Sequence, residues 1–210
     1  MTKEQIIDGI PEILMNAKAL LADANLLFKY KRFQRAYSLY QLSIEETAKA
    51  FFLIGTALFE DLSNLDTQKE INKVILSHKY KTEKSIGLQS MLNEVMKRVN
   101  MDKYEKHVLT SLDELKNVNK LNEKKNWGFY TSVVKGKFCA PEKLITEKDT
   151  IEIKSKASLR VNFGFLLTAA MTEHFDAMKN NLLRSGFDKD KADKEIITEI
   201  NRIKTKYNYK

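Results

Sequence analysis

Two adjacent carboxylates, Glu45 and Glu46, stand in the middle of an apolar helical pattern. The stretch 36–52 contains no glycine or proline, and its apolar residues recur every three or four positions, which predicts an amphipathic helix. Burying a carboxylate costs free energy unless a cation or donor meets it. In one interpretation Glu45 pairs with Lys49 and Glu46 faces water. In the other, basic, imidazole and phenol groups from elsewhere in the chain meet both carboxylates.

The stretch His78-Lys-Tyr-Lys81 is the first source of such groups. His78 and Lys81 are three residues apart, so a helix would place them on one face, and other lysines surround them. A solvated basic flank is one interpretation. The other is a cationic wall that faces the two carboxylates or binds phosphate groups. In that second interpretation, the lysines that could bind the phosphate groups of an RNA are Lys49, Lys79 and Lys81.

The stretch Lys125-Asn-Trp-Gly-Phe-Tyr130 is the second source. Lys125 and Tyr130 flank four residues at the end of a predicted helix, where an amine and a phenol could contact a phosphate and a ribose hydroxyl. Asn126 could orient such a ligand. Trp127 and Phe129 are equally well explained as core residues that fix the loop.

Metal and nucleotide chemistry have no support in the pattern. Di-iron bundles need Glu-x-x-His on two helices, and zinc peptidases need His-Glu-x-x-His. Neither motif occurs, because the residues three positions before the histidines are Ile75, Tyr104 and Met171. Cys139 is the only cysteine, so an internal disulfide and a cysteine-built zinc site are excluded. The scattered glycines form no phosphate-binding loop. We therefore expect neither a metal nor a cofactor.

Composition places the chain among globular helical proteins that favour polyanions. Of its 210 residues 43% are hydrophobic and 30% charged, and with only seven glycines and two prolines few positions force a turn. The net charge of +8 favours an RNA or an acidic protein as partner. No signal-peptide pattern and no membrane-spanning apolar run occur, so we expect a cytoplasmic protein without a membrane partner.

Periodicity predicts an all-α domain, a bundle of about five long helices. The first helix should begin at Pro11 and form an antiparallel hairpin with the second, which ends near Glu60. The other predicted segments are a helix over 69–99 with a break at 78–81, an amphipathic helix ending near Leu121, an irregular insertion at 126–146, and a helix from Thr146 to Leu183. A charged helix over 188–208 follows. Residues 1–186 should form the helical domain, with 187–210 packed on it or on a second subunit.

These motifs together resemble the AbiV family of phage abortive-infection proteins. The resemblance covers roughly residues 13–185 and rests on the order and spacing of several motifs. They are Ala36 with Ser43-Ile-Glu-Glu-Thr-Ala-Lys49, His78-Lys-x-Lys81, Lys125-Asn-Trp-Gly-Phe-Tyr130 and Ala140-Pro-Glu-Lys-Leu-Ile145. The family is grouped with the HEPN helical domains, many of which are RNA-cutting toxins. The resemblance therefore implies a HEPN-like fold.

HEPN ribonucleases resemble one another in an arginine, a polar residue after it, and a histidine a few residues further on. They typically join two copies in a homodimer with a metal-independent site. Lys125 and Asn126 match the first two positions in kind, whereas Tyr130 stands where the histidine is expected. A phenol with a pKa near 10 is a poor general base. The resemblance thus implies RNA contact more strongly than RNA cleavage, unless His78 replaces the missing base.

Two functions stay open from the sequence. In the first, phage infection triggers an effector that blocks translation or RNA function, and one groove holds the six candidate catalytic residues: Glu45, Glu46, His78, Lys125, Asn126 and Tyr130. In the second, the same polar cluster is structural, and the chain is a non-catalytic protein-interaction module. The resemblance implies a homodimer, a phage-encoded protein as trigger, and RNA or the translation machinery as target. Enzymatic activity is left undecided.

Overall fold

Two long antiparallel helices form the centre of the computed structural model, which describes residues 1–86 and 101–209. They are α1 (Lys3–Lys29) and α2 (Phe33–Phe59). Helix α1 runs through Pro11 and begins eight residues before it, because Thr2 and Gln5 form a reciprocal capping box that satisfies the first amides. The prediction that this helix begins at Pro11 is therefore wrong.

A third long helix, α7 (Glu147–Glu173), packs against both α1 and α2. Thr146 caps it, with Asp149 as the reciprocal partner predicted for that position. Small residues on α2, including Ala36, Ala48 and Ala50, are fully buried and allow the neighbouring helices to approach closely. Helix α2 is therefore the most enclosed element, and polar groups on it need partners from other helices.

Shorter elements complete the all-α fold, and this fold class is confirmed. Helix α4, described over residues 78–86, begins after a break at Ser77, just before the segment 78–81 at which the sequence predicted it. The helix predicted for 87–99 lies outside the described residues. The other helices are α3 (Leu65–Leu76), α5 (Met101–Lys116), α6 (Val118–Trp127), α8 (Phe175–Arg184) and α9 (Lys189–Lys206).

The predicted irregular insertion at 126–146 contains a small antiparallel hairpin. Helix α6 ends at Trp127, and strands β1 (Ser132–Val134) and β2 (Lys137–Cys139) pair with Val133 opposite Phe138. A short 3-10 turn, Pro141–Lys143, leads back to α7. The short segment 128–131 thus links the hairpin to the helix that carries Lys125.

The C-terminal helix α9 packs on α5 of the same chain. Ile203 is fully buried there against Tyr104 and Val108. The buried Glu105 on α5 accepts hydrogen bonds from α9 and from the residue after it; the donors are Arg202, Lys206 and Tyr207. The domain boundary at 186–187 stays a prediction. Across the described ranges, none of the helices combines the length and the apolar character that a bilayer crossing requires.

Candidate functional site

The Glu45 carboxylate is the centre of a polar cluster formed by α2, α4 and α6. It is fully buried at the middle of α2. The Lys125 ammonium, from α6, donates to both carboxylate oxygens at 3.1 and 3.2 Å. The Thr82 hydroxyl, from α4, donates to Oε1 at 3.0 Å. The helix packing therefore supplies the partners that a buried carboxylate needs.

His78 links this buried carboxylate to the surface. Its Nδ1 lies 2.7 Å from Glu45 Oε2, while 52% of its side chain is exposed. A carboxylate on one ring nitrogen fixes the orientation and the tautomer of the ring. The other nitrogen, Nε2, makes no hydrogen bond to any residue that the structure describes. The pair therefore presents one imidazole nitrogen at the surface with a buried anion behind it.

Lys125 is nearly as buried as its partner, with 3% of its surface exposed. Burial lowers the pKa of its ammonium, and the nearby charge of Glu45 offsets only part of that effect. The amine is committed to Glu45 on both oxygens. Its place in the structure is therefore to neutralise and hold that carboxylate.

The close contact between α6 and α2 explains how Lys125 reaches Glu45. The Ser38 hydroxyl on α2 donates to the carbonyl oxygen of Lys125. Three residues later, a Cβ on Gly128 would lie 2.0 Å from Ser38 Oγ and 2.3 Å from the Gln34 carbonyl oxygen. Only glycine fits at that contact, and it fixes the end of α6 against α2.

Glu46 is the centre of a second, more peripheral set of contacts. Its carboxylate accepts from Lys49 at 2.7 Å and from Asn16 at 3.2 Å, and Lys81 lies 3.6 Å away. Burial raises the pKa of Glu46, but the hydrogen bond and charge of Lys49 together with Lys81 outweigh it and leave that pKa lowered. The interpretation in which Lys49 pairs with Glu45 and Glu46 faces water is wrong.

The remaining predicted site residues lie outside these contacts. Asn126 and Tyr130 are exposed, and within the described part of the chain neither side chain hydrogen-bonds to the Glu45 cluster. The Tyr130 ring lies 6.1 Å from that of Phe129, and its amide donates to the Asn126 carbonyl. Lys79 is exposed beside His78. The structure thus joins Glu45, His78 and Lys125 and leaves Asn126 and Tyr130 at the rim.

Two members of the cluster were not predicted from the sequence. Gln41 Nε2 lies 3.3 Å from both Glu45 Oε1 and Thr82 Oγ1, and both side chains are buried. The only available signal was spacing, since Gln41 precedes Glu45 by four residues and Thr82 follows His78 by four. Among the described residues, no group of three or more histidine, cysteine, aspartate or glutamate side chains could hold a metal ion.

Comparison with known proteins identifies one family. The model of the AbiV family, within the HEPN group, matches residues 5–161, about three quarters of the chain. The matched region includes α2, the described part of α4, and α6, so it contains Glu45, His78 and Lys125. Neither a curated protein nor a solved structure matches the chain.

Proposed function

This chain belongs to the AbiV family of HEPN-related proteins, and from that premise we propose that it is a cytoplasmic antiphage effector that, when phage infection triggers it, blocks RNA function or translation. Family membership supports an abortive-infection role. The net charge of +8 supports a polyanionic target such as RNA. The local chemistry of the site then indicates what the protein does to that target.

The observation that carries the proposal is the contact between Glu45 and His78. Nδ1 is occupied by a buried carboxylate at 2.7 Å, and half of the ring is exposed. Because Glu45 accepts the Nδ1 proton, Nε2 is left as the ring nitrogen that can act as a general base. The histidine that the HEPN pattern lacks at Tyr130 is thus supplied from α4.

The reaction proposed for this pair is cleavage of RNA by its own 2′-hydroxyl. Nε2 of His78 accepts the proton of the hydroxyl, and the 2′-oxygen forms a bond to the adjacent phosphorus. The bond from phosphorus to the 5′-oxygen breaks, and that oxygen takes up a proton from solvent. The products are a 2′,3′-cyclic phosphate and a 5′-hydroxyl end, and His78 returns its proton to solvent.

The lysines have two proposed roles: most of them hold the site in place, and one binds the target. Lys125 is a positioning residue, since both of its contacts go to Glu45. Lys49 and Lys81 balance Glu46 and lie largely beneath the surface. Lys79 is exposed next to His78 and is the candidate for direct phosphate contact.

Purified protein incubated with tRNA, rRNA and mRNA in EDTA tests this proposal, with and without extract from phage-infected cells. We expect fragments that end in a cyclic phosphate, and we expect His78→Gln to remove them. His107→Gln is the matched control, because His107 is exposed on α5 away from the cluster. Fragments that persist at the wild-type rate in His78→Gln would contradict the assignment of His78.

A second candidate function is a non-catalytic interaction module. It is favoured by the near-complete burial of Glu45 and Lys125 and by the pairing of both Glu45 oxygens, as in a structural network. Under this function Lys125→Ala weakens folding or partner binding, and Tyr130→Phe affects partner binding, but no reaction is lost. Absence of RNA cleavage and RNA binding, with infection still aborted, would favour it.

We also propose that the protein acts as a homodimer through the outward face of α1 and α7. Lys18 contacts the Phe165 ring and Lys154 the Phe28 ring, so the two helices run antiparallel. Nearly equal numbers of acidic and basic residues lie on them, so the positive charge of the whole protein does not oppose self-association there. Five large apolar side chains on this face are more than half exposed: Met15, Leu26, Ile151, Leu159 and Leu166.

Light scattering tests the dimer. We expect Leu159→Lys to convert a dimer into monomers, whereas Leu65→Lys, on exposed α3, should not. Co-purification with the chain from infected cells tests the proposed phage-encoded trigger. A wild-type protein that is monomeric at all concentrations would contradict the dimer without bearing on His78.

A further inference from the structure

The hairpin Ser132–Cys139 exposes apolar side chains at a site that the proposed reaction does not use. Phe138 is 80% exposed, and its cross-strand partner Val133 is 61% exposed. Tyr130, two residues before β1, is 66% exposed. A hairpin this short buries little surface of its own, so these side chains contribute almost nothing to the core. The hairpin and the segment before it thus present two rings and an aliphatic side chain to solvent.

The tip of the hairpin holds a lysine in an unfavourable backbone conformation. Lys135 has a φ of 51° and Gly136 a φ of 75°, as a type I′ turn requires. Asparagine or aspartate is preferred at the first of these positions, and other side chains pay for the left-handed conformation. The positive charge at the tip is therefore held at a cost to local stability.

The charge around the hairpin has one sign. Residues 124–141 contain no aspartate or glutamate, although 30% of the whole chain is charged. Lys135 is exposed at the tip of the hairpin, and Lys137 is exposed in β2 next to Phe138 in the chain. Exposed aromatic rings flanked by unopposed lysines match single-stranded nucleic acid, whose bases stack on rings while its phosphates meet cations.

We propose that this hairpin is a binding platform for single-stranded RNA, with a base stacked on Phe138 and phosphates held by Lys135 and Lys137. Tyr130 offers a second ring between the platform and the end of α6, which leads to Lys125. The inference rests on the proposed function for its choice of RNA as ligand, and it adds the surface that would hold that RNA. A duplex should bind less tightly, because its bases are already stacked on one another.

Fluorescence anisotropy with a labelled single-stranded RNA, and with the duplex of the same sequence, tests the platform. Loss of one stacked base should weaken binding at least about 5-fold in Phe138→Ala. Phe138→Trp should restore binding, since it retains a ring. Leu65→Ala is the matched control: Leu65 is 77% exposed but lies on α3, away from the hairpin.

Lys135→Asn separates binding from folding. Asparagine suits the positive φ, so this variant should raise the midpoint of thermal unfolding while it weakens RNA binding and reduces the salt dependence of binding. A merely structural role for the hairpin would not move these two properties in opposite directions. Binding that is unchanged in both Phe138→Ala and Lys135→Asn would overturn the platform.

Further outcomes test this inference together with the proposed function and separately from it. His78→Gln that binds RNA normally but does not cleave it supports both. Cleavage by the wild type with equal activity and affinity in the hairpin variants would overturn the platform alone. Equal affinity for duplex RNA would also overturn the platform. So would a Phe138→Ala variant that changes the oligomeric mass but not RNA binding, because the hairpin would then bind a second copy of the chain.

Discussion

Glu45 and Glu114 are buried carboxylates with the same arrangement and different outer partners. Glu114 on α5 accepts from Arg160 and Lys156 of α7, each at 2.6 Å. Glu45 on α2 accepts from Lys125 and contacts His78. In each cluster one cation, Arg160 or Lys125, is itself buried, and the other partner is partly exposed.

The difference lies in what the outer partner can do. Lys156 ends in an ammonium group that only donates hydrogen bonds, so the Glu114 cluster can only hold α5 and α7 together. His78 carries an imidazole, the type of side chain that most often serves as a general acid or base in proteins. A buried carboxylate therefore has a structural role at Glu114, whereas at Glu45 it is a candidate for a chemical role. The comparison also shows that burial and pairing alone do not identify a functional site.

The largest expected effect is the loss of either carboxylate. Glu45→Ala leaves Lys125 buried without the carboxylate that neutralises it, and Glu114→Ala removes a buried carboxylate that Arg160 contacts. Each should lower the free energy of unfolding by about 3–5 kcal/mol, measured by urea denaturation at neutral pH. Glu152→Ala, on the exposed surface of α7, should stay within about 0.5 kcal/mol. A loss below about 1 kcal/mol in Glu45→Ala would contradict the buried ion pair.

The second-largest expected effect on stability tests how the structure positions each buried cation. Arg160 projects from the middle of α7, whereas Lys125 depends on the tight contact at Gly128. Gly128→Ala should cost about 1–3 kcal/mol, because the backbone at Gln34 has no room to move away. Gly55→Ala is the control: nothing lies within 4 Å of its Cβ position in α2, so it should stabilise by about 0.5–1 kcal/mol. Equal effects of the two substitutions would show that α6 adjusts freely.

More of the fold than of the candidate site could be predicted from the sequence. Helix periodicity in α2 and α7, and the Thr146–Asp149 capping box, are local signals that the sequence contains in full. Pro11 misled the prediction because a capping box at Thr2 outweighed the preference of proline for a first turn. Lys125 and His78 were candidates from the local residue pattern, and the family resemblance then matched Lys125 to a position of the HEPN motif.

What the sequence could not supply was the pairing across helices. The contact of Glu45 with Lys125 joins residues 80 positions apart and depends on the crossing of α2 and α6. Local spacing favoured Lys49 as partner of Glu45, but the structure gives Lys49 to Glu46. The rotation of α2 about its own axis decides which of the two adjacent carboxylates points into the bundle. The local residue pattern does not predict that rotation.

Acid should weaken the Glu114 cluster in a defined direction. Burial raises the pKa of Glu114, but Arg160 and Lys156 outweigh it and lower the pKa overall. Its stabilisation is therefore complete above the unfolded-state pKa near 4.3, and it is lost as pH falls below that value toward the folded-state pKa. The stability gap between wild type and Glu114→Gln, measured by urea denaturation, should narrow from pH 7 to pH 3.5. A gap that widens on acidification would reverse the assigned direction.

The smallest effect on stability is the most informative about function. His78→Gln and Lys156→Gln each replace the outer partner of a buried carboxylate with a neutral amide that can still donate a hydrogen bond. Because water can also reach both positions, each should cost about 1 kcal/mol or less in urea denaturation. Only His78→Gln should abolish growth arrest on phage infection, since only it removes a group that exchanges protons. If Lys156→Gln abolished the arrest as completely, the imidazole would have no chemical role distinct from that of a structural cation, and the contrast between the two carboxylates would fail.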